Sequence, residues 1–296
     1  MNLKEYLLEK RTLVDKALGK YLPETDSPRK ELYRAMRYSL FAGGKRIRPV
    51  LCIAAAEAVG GSYKDVMPVA CAFEMIHTYS LIHDDLPAMD NDELRRGKPT
   101  NHMVFGEAMA ILAGDGLLTE AFRIIACPGL VKKAGAERFR KVIEIVASAS
   151  GADGMVGGQA LDIMAEGKKI DTSLMETIHE YKTGALLKAS VTAGAILGGG
   201  SDRDIEYLEE YGKNIGLAFQ ISDDILDIEG DSKEMGKQTG VDIERGKNTY
   251  PSVYGMERSK ILLKEIIDNA IDMLSEFKEK AEPLRQIAVY IIERKK

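Results

Sequence analysis

"CAFEMIHTYSLIHDDLPAMDND", residues Cys71 to Asp92, joins an apolar stretch to a cluster of four aspartates. Apolar residues recur at helical spacing as far as Ile82, and the acids follow directly. Like charges three or four positions apart on a helix repel each other by a few tenths of a kcal/mol per pair. We therefore expect these acids to lie at the mouth of a helical core, where water or bound cations compensate their charge.

A second stretch, "LAFQISDDILDIEGD", repeats this pattern of an apolar helix that ends in aspartates. Asp223 and Asp227 are four positions apart and share a helix face. In the first cluster, Pro87 cannot continue a regular helix, so a bend must bring Asp90 to the site. Facing carboxylates are hard oxygen ligands that suit Mg²⁺ or Mn²⁺, and Mg²⁺ usually binds through one or two carboxylates plus substrate phosphates. The alternatives are two solvated helix ends or calcium storage, although the spacing is not that of an EF-hand.

Helical periodicity dominates the rest of the chain, and strand-like alternation is hard to find, so we predict an all-α fold. Ser27 is the predicted N-cap of one helix, and Ser173 with Glu176 is the predicted capping box of a single helix running to the glycines after Leu197. No Pro/Ser-rich linker divides the chain, which favours one domain over residues 1–296. The long polar segment Glu229 to Ser252 is typical of a lid or a disordered loop.

Composition excludes several classes of protein. With 296 residues, 45% of them hydrophobic, the chain is ample for a folded core. Its net charge of −5 offers no broad surface for nucleic acid or anionic lipid. The three cysteines lie in apolar runs without a zinc-binding spacing, which indicates reduced core residues. We find no signal peptide and no run near the ~20 apolar residues of a membrane span, so we expect a soluble cytoplasmic protein.

Basic residues next to glycines form a third pattern. They are Lys45, Arg46 and Arg48 in "GGKRIRP", Arg95 and Arg96 after the first acids, Lys182 in "YKTG", Lys237 in "MGKQTG" and Lys247 in "RGKNTY". Glycine permits close backbone approach and arginine binds phosphate oxygens bidentately. Each Gly-Lys pair alone is more typical of a helix cap, but together they predict phosphate recognition. A Walker A motif is missing, so ordinary ATP or GTP hydrolysis is not expected.

Three polar side chains on apolar stretches are further candidates. His77 lies two helical turns before Asp84 on the same face, and its imidazole can donate a hydrogen bond to phosphate. Gln220 precedes the second acids by one turn, and Gln159 lies in "GGQALDI". The alternative for each is a polar group satisfied within the core.

Six segments closely resemble the trans-isoprenyl diphosphate synthases of bacteria, especially the farnesyl diphosphate synthases. In chain order they are "GGKRIRP", "LIHDDLPAMDNDELRRGKPTNH", "GGQALDI", "YKTGALL", "FQISDDILD" and "GKNTYP". The match runs from Lys45 to Pro251 and includes both aspartate-rich motifs. The resemblance implies an all-α bundle around a deep central cavity, normally a homodimer. It also implies an enzyme that joins an allylic diphosphate, dimethylallyl and then geranyl, to isopentenyl diphosphate.

The resemblance also implies a role for each matched residue. Mg²⁺ on the allylic diphosphate would be held by Asp84, Asp85, Asp90, Asp223 and Asp227. The same diphosphate would be surrounded by Arg95, Lys182, Thr183, Gln220, Lys237 and Lys247. Isopentenyl diphosphate would be bound without metal by Lys45, Arg48, His77, Arg96 and the backbone of Gly44. The implied catalytic set is Asp84, Asp85, Asp90, Arg95, Lys182, Asp223 and Lys237. Closure of the Glu229 to Ser252 segment is expected to exclude water and bring its two lysines inward.

Product length depends on two residues in this resemblance. In the family, the positions four and five residues before the first aspartate form the floor of the product pocket, and here these are Ser80 and Tyr79. The aromatic ring of Tyr79 and the DDxxxxD spacing resemble bacterial farnesyl synthases, which favours a fifteen-carbon product. The small Ser80 leaves room beside the ring, so geranylgeranyl and geranyl diphosphate are alternatives. A terpene cyclase is disfavoured because the second motif is a full DDxxD, not the Asn/Ser/Glu triad of cyclases, and because the basic set for isopentenyl diphosphate is present. A non-catalytic subunit is disfavoured because both acidic motifs are intact.

Overall fold

The computed structural model describes residues 1–168, 170–229 and 248–294. Its helices are α1 (Leu3–Tyr21), α2 (Lys30–Leu40), α3 (Ile47–Ala58), α4 (Tyr63–Asp84), α5 (Asn101–Phe105), α6 (Glu107–Ile125), α7 (Pro128–Ala134), α8 (Ala136–Ser150), α9 (Met155–Ala165), α10 (Thr172–His179), α11 (Ala185–Gly198), α12 (Asp202–Glu229), α13 (Tyr250–Tyr254), α14 (Met256–Asp272) and α15 (Glu282–Glu293). A π-helix spans Glu180–Gly184 and a 3₁₀-helix spans Ser275–Ala281. Two-residue strands β1 (Leu94–Arg95) and β2 (Lys98–Pro99) pair antiparallel. The all-α prediction is confirmed.

The bundle is built around α3, α4, α11 and α12, which pack against one another. One apolar cluster centres on α4 and α6, and a second lies where α12, α14 and α15 meet the other side of α3 and α11. Small residues allow α3 and α11 to approach closely: a Cβ on Gly194 would overlap the carbonyl oxygen of Cys52. These central helices place the two acidic helix ends.

Two predicted helix starts are wrong. The helix expected to begin after Ser27 begins at Lys30, because residues 27–29 form a turn instead. The predicted capping box at Ser173 is replaced by Asp171, whose carboxylate accepts a 2.8 Å hydrogen bond from the backbone N–H of Leu174. An aspartate at the N-cap satisfies the same free N–H groups, so it competes with the later serine.

The three cysteines are unpaired, as the sequence predicts, and none of the described helices has the length and apolar character of a membrane span. Cys52 and Cys71 are buried, Cys127 is partly buried, and all three are free thiols. Over the described ranges, each helix is either too short or too polar to cross a membrane.

Candidate functional site

The first acidic cluster forms where α4 ends. The chain turns after Asp84, and the backbone N–H of Asp90 donates a 2.8 Å hydrogen bond to the carbonyl of Asp84. The bend predicted from Pro87 therefore brings Asp90 back beside Asp84. Burial raises the pKa of the Asp84 carboxyl to about 6; nearby Lys182 opposes this shift and Asp90 adds to it.

Asp85 faces a different partner from its neighbour. Its buried carboxylate accepts a 2.7 Å hydrogen bond from Nε of Arg95, and the second guanidinium nitrogen lies 2.6 Å from the same oxygen. Arg95 also lies 3.7 Å from Asp92. This contact fixes the arginine that directly follows the acidic cluster.

The π-helix connects the two acidic clusters. Lys182 donates a 2.6 Å hydrogen bond to Asp162 on α9, and its charge acts on Asp84. The next residue, Thr183, donates to Gln220 on α12 at 3.0 Å. Gln220 in turn donates to Asp224 at 2.8 Å. The sequence predicted one regular helix here, whereas π-helical turns are rare and often occur at functional sites.

On α12, the second acidic cluster has a partner that sequence reasoning missed. Asp223 accepts a 2.7 Å hydrogen bond from Arg294, which also donates to Ser222 and to the carbonyl of Phe219. Arg294 is buried, and its guanidinium lies 4.0 Å from the ring centroid of Phe219. No local pattern links residues 71 positions apart, so only the packing of the C-terminal helix reveals this pair.

Asp227 lies one turn further along α12 and is buried. The structure therefore places both predicted metal ligands of this cluster on one helix, as their spacing required.

The basic residues converge beside the start of α3. Nε of Arg48 is buried and makes no hydrogen bond to any described residue. Burial lowers the pKa of Arg48 to about 10, although Glu74 and Asp223 oppose the shift. Arg96 donates to the carbonyl of Gly43 and packs against Gly44. Buried donors are normally satisfied, so this cluster is suited to an anionic ligand.

His77 and Lys45 border the same cluster. Burial, together with the positive charges of Arg48 and Arg96, lowers the pKa of His77 well below its usual value, so the imidazole is neutral at pH 7. A neutral imidazole can still donate one hydrogen bond. The ammonium group of Lys45 lies 5.7 Å from the ring centroid of Tyr290.

Several of the predicted site residues lie within electrostatic reach of one another. Lys182 and Thr183 are adjacent, and they reach Asp84 and Gln220 respectively. The charges of Arg48 and Asp223 act on each other, which links the basic cluster to the second acidic helix. The buried Oε1 of Gln159 has no hydrogen-bond partner among the described residues.

The carboxylates fit a magnesium ion that is completed by a ligand. Within the described ranges, no three His, Cys, Asp or Glu side chains are close enough to form a metal site by themselves. Mg²⁺ takes hard oxygen ligands and often uses only one or two carboxylates together with substrate phosphates. Asp84 and Asp90 offer such oxygens, and Asp223 offers the carboxylate oxygen that Arg294 does not bond.

Some predicted features cannot be placed. Lys237 and Lys247 lie outside the described residues, as does most of the predicted lid from Glu229 to Ser252. Their roles stay predictions.

The two predicted chain-length residues lie on α4. Tyr79 is buried, and its ring meets the imidazole of His83 edge-on at 5.7 Å between centroids. Burial and the nearby Asp84 raise the pKa of Tyr79 to about 12. Ser80 is half-buried and donates to the carbonyl of His77 at 2.9 Å.

Replacing Gly158 by alanine is expected to impair both folding and activity. A Cβ on Gly158 would overlap the backbone nitrogen of Lys182, so α9 and the π-helix would have to separate. Overpacking of this kind costs about 1–3 kcal/mol of folding free energy. Urea unfolding and turnover measurements would test this. The matched control is Gly19→Ala on α1, where a Cβ meets open space and helix propensity should add up to about 1 kcal/mol. Equal behaviour of the two variants would contradict the packing argument.

The fold and the site define an all-α protein of the isoprenoid synthase type, with acidic and basic clusters within electrostatic reach of each other. The Polyprenyl synthetase family model matches residues 29–287. The chain belongs to this family, which contains the trans-prenyl diphosphate synthases.

Individual relatives agree on the class but differ in product. The chain is 52% identical over 260 residues to a farnesyl diphosphate synthase of Geobacillus stearothermophilus, covering 88% of this chain and 87% of the relative. It is 48% identical over 295 residues to a geranylgeranyl diphosphate synthase of Cyanophora paradoxa, covering 99% and 97% respectively. The crystal structure of an FPP/GFPP synthase from Zymomonas mobilis superimposes with a TM-score of 0.88 at 38% identity, covering 98% of this chain and 99% of that one.

Proposed function

We propose that the protein is a metal-dependent farnesyl diphosphate synthase that extends dimethylallyl and then geranyl diphosphate with isopentenyl diphosphate. One observation carries this proposal. Arg48 is a half-buried cation whose buried Nε has no hydrogen-bond partner among the described residues, and it lies within electrostatic reach of Asp223. A site suited to an anion therefore adjoins the second acidic cluster, where Arg294 bonds one oxygen of Asp223 and leaves the other for a cation, as two differently bound diphosphates require.

The residues divide between the two substrates. Asp84, Asp90 and Asp223 would hold Mg²⁺, with Asp227 as a further ligand, and the ion would neutralise charge that develops on the allylic diphosphate. Arg95 and Lys182 would bind the same diphosphate directly. The second substrate would be bound by Lys45, Arg48, His77, Arg96 and the backbone of Gly44.

Asp85 has a supporting role in this proposal. Its hydrogen bonds with Arg95 hold the guanidinium in place, whereas a direct contact to metal would require its other carboxylate oxygen. We therefore propose Asp85 mainly as the residue that orients Arg95.

The reaction requires that charge be stabilised where it develops. The allylic C–O bond breaks to leave an allylic cation and pyrophosphate, whose negative charge Lys182 and Arg95 stabilise. The double bond of isopentenyl diphosphate then attacks the cation, and a proton leaves to the departing pyrophosphate. Neutral His77 does not add a positive charge beside the cation. Water must be kept out, since it would convert the cation to an alcohol.

The deciding experiment supplies pure protein with Mg²⁺, dimethylallyl diphosphate and isopentenyl diphosphate. We expect farnesol as the main product after dephosphorylation and chromatography, and no product when EDTA removes the metal. Failure to consume isopentenyl diphosphate would contradict the proposal. Geranylgeraniol as the main product would favour the alternative chain length.

Replacing Tyr79 by alanine is expected to lengthen the main product by at least one five-carbon unit. Loss of the buried ring would open the pocket floor beneath the growing chain. Product chromatography measures the change, and Tyr79→Phe is the control because it keeps the ring. An unchanged distribution in Tyr79→Ala would remove this residue as the floor.

Other aspects of the protein stay predictions. We propose a single domain, a homodimer and a cytoplasmic location, although the relatives include chloroplast proteins. One relative is described as the large subunit of a heterodimeric enzyme. The family match is to polyprenyl synthetases, which supports condensation over cyclisation.

A further inference from the structure

Arg46 lies between two proposed substrate-binding residues, but its guanidinium is bonded within the protein. It is the N-cap of α3, with φ of 55° and ψ of 36°, the left-handed region that residues with a Cβ rarely adopt. Such a conformation persists only where surrounding contacts hold it. Lys45 precedes it directly, and Arg48 follows in the first turn of the helix.

Three fixed partners hold the Arg46 guanidinium. Nε donates to Asp15 on α1 and Nη1 to Glu74 on α4, both at 2.8 Å. Nη2 donates to the carbonyl of Leu40, the last residue of α2, at 2.7 Å. The Arg46 side chain is 2% exposed and Glu74 is 3% exposed. All three nitrogens are thus occupied by protein, and none is directed to a ligand.

These contacts anchor the loop that carries the proposed anion site. Gly43 and Gly44 have φ of 105° and 124°, so the loop takes a path that few other sequences could follow. Arg96 also holds this loop, by donating to the carbonyl of Gly43. The position of Arg46 therefore sets where Lys45 and Arg48 stand relative to Arg96.

Glu74 also acts on the neighbouring cations. It opposes the lowering of the pKa of both Arg48 and Arg96, although neither arginine bonds to it. Asp15 is shared between Arg46 and Arg11, which lies 3.6 Å from it. The negative charge of Glu74 therefore does most to favour the charged forms of Arg48 and Arg96. Arg46 thus acts on the site through the loop and Glu74 through its charge, and neither side chain contacts substrate.

Stability alone gives a weak reason for such a network. Replacing a buried ion network with apolar residues of similar size often leaves a protein equally or more stable. If the network instead positions the loop, apolar replacements should restore the stability of the protein but not the geometry of the loop.

We propose that Arg46, Glu74 and Asp15 form a positioning triad for the isopentenyl diphosphate site. The inference rests on the proposed function, since it names the site that the triad serves. The triad contacts no substrate, and it acts by fixing the loop of residues 43–46 and the first turn of α3.

The test compares Glu74→Gln with the double variant R46M/E74M. In both, we expect KM for isopentenyl diphosphate to rise by about 10- to 100-fold, the effect typical of losing a supporting contact. Turnover at saturation and KM for dimethylallyl diphosphate should stay unchanged. Thermal unfolding should show that R46M/E74M is at least as stable as Glu74→Gln.

A second ion pair provides the matched control. Glu57 on α3 accepts from Lys10 on α1 at 2.6 Å and from the hydroxyl of Tyr6 at 2.8 Å. It also joins α1 to α3 but lies far along the helix from the loop. Glu57→Gln should lower the unfolding temperature and leave both KM values unchanged.

The outcomes separate the two proposals. If the wild-type protein does not condense the two substrates, the proposed function fails before the triad is tested. If the wild type is active, an unchanged KM for isopentenyl diphosphate in R46M/E74M overturns the triad. Losses of activity that simply follow the unfolding temperature, as in the Glu57 control, overturn it as well.

Discussion

Replacing Asp84 by asparagine is expected to lower kcat/KM for the allylic substrate by about 10²- to 10³-fold, with most of the loss in kcat. The change keeps the size of the side chain but removes a charged oxygen ligand from the proposed Mg²⁺ site. Lys182, which acts on the same carboxylate, stays paired with Asp162. Steady-state kinetics at several Mg²⁺ concentrations would measure the loss, and excess metal should recover only part of it.

The Asp84→Asn variant should lose activity without losing stability. Burial raises the pKa of Asp84 to about 6, above the value of an unfolded chain, so its ionisation destabilises the folded protein as pH rises through this range. At pH 8, Asp84→Asn should therefore unfold at the same temperature as the wild type or higher. Poor folding then cannot explain the lost activity.

Asp268→Asn is the matched control for Asp84→Asn. Asp268 is an exposed carboxylate on α14 and belongs to neither acidic cluster, so its replacement removes the same charge outside the proposed site. We expect unchanged kinetics in this variant. Full activity of Asp84→Asn would exclude Asp84 as a metal ligand.

The sequence predicts what depends on local spacing. Helical periodicity gives the all-α class, and Pro87 gives the bend that returns Asp90 to Asp84. Asp223 and Asp227 share a face of α12 because four positions make about one helical turn. In each case the relevant residues are close along the chain.

Contacts between distant parts of the chain were not predictable in the same way. Arg294 meets Asp223 only because α15 packs on α12, and Arg46 meets Asp15 and Glu74 only once α1, α3 and α4 are assembled. Glycines offered a partial signal. Gly158 in "GGQALDI" marks the close approach of α9 to Lys182, but the sequence does not say which backbone approaches.

The π-helix shows a second limit. Periodicity describes the segment from Ser173 to Leu197 as one helix, since a single wider turn hardly disturbs the apolar pattern. Yet this wider turn carries both Lys182 and Thr183. A π-helical turn is less stable than an α-helical one, and close packing offsets this cost. One such contact is between Gly184 in the π-helix and Gly216 on α12.

Replacing Arg48 by methionine should raise KM for isopentenyl diphosphate by about 30-fold to several thousandfold. A buried charge-assisted contact is worth about 2–5 kcal/mol when one partner is removed, and each 1.4 kcal/mol is a factor of ten. KM for the allylic substrate should change far less, because the acidic clusters and Lys182 are left intact. Initial rates with each substrate varied in turn would separate the two effects.

The Arg48→Met variant should lose substrate affinity but gain stability. Burial lowers the pKa of Arg48 to about 10, which means that the folded protein disfavours its charge. Methionine fills a similar volume without that charge, so Arg48→Met should unfold at a higher temperature than the wild type. Pyrophosphate without added metal should stabilise the wild type by binding the folded state, and the part of this gain that comes from the isopentenyl diphosphate site should be absent in the variant.

An exposed arginine tests whether loss of any positive charge has this effect. Arg258 on α14 is about half exposed and lies 3.4 Å from Glu265. Exposed pairs contribute about 0–1 kcal/mol, so Arg258→Met should change neither KM nor the response to pyrophosphate. If Arg48→Met behaved like Arg258→Met, Arg48 would not form the anion site, and the separation of the two diphosphates would have to rest on other residues.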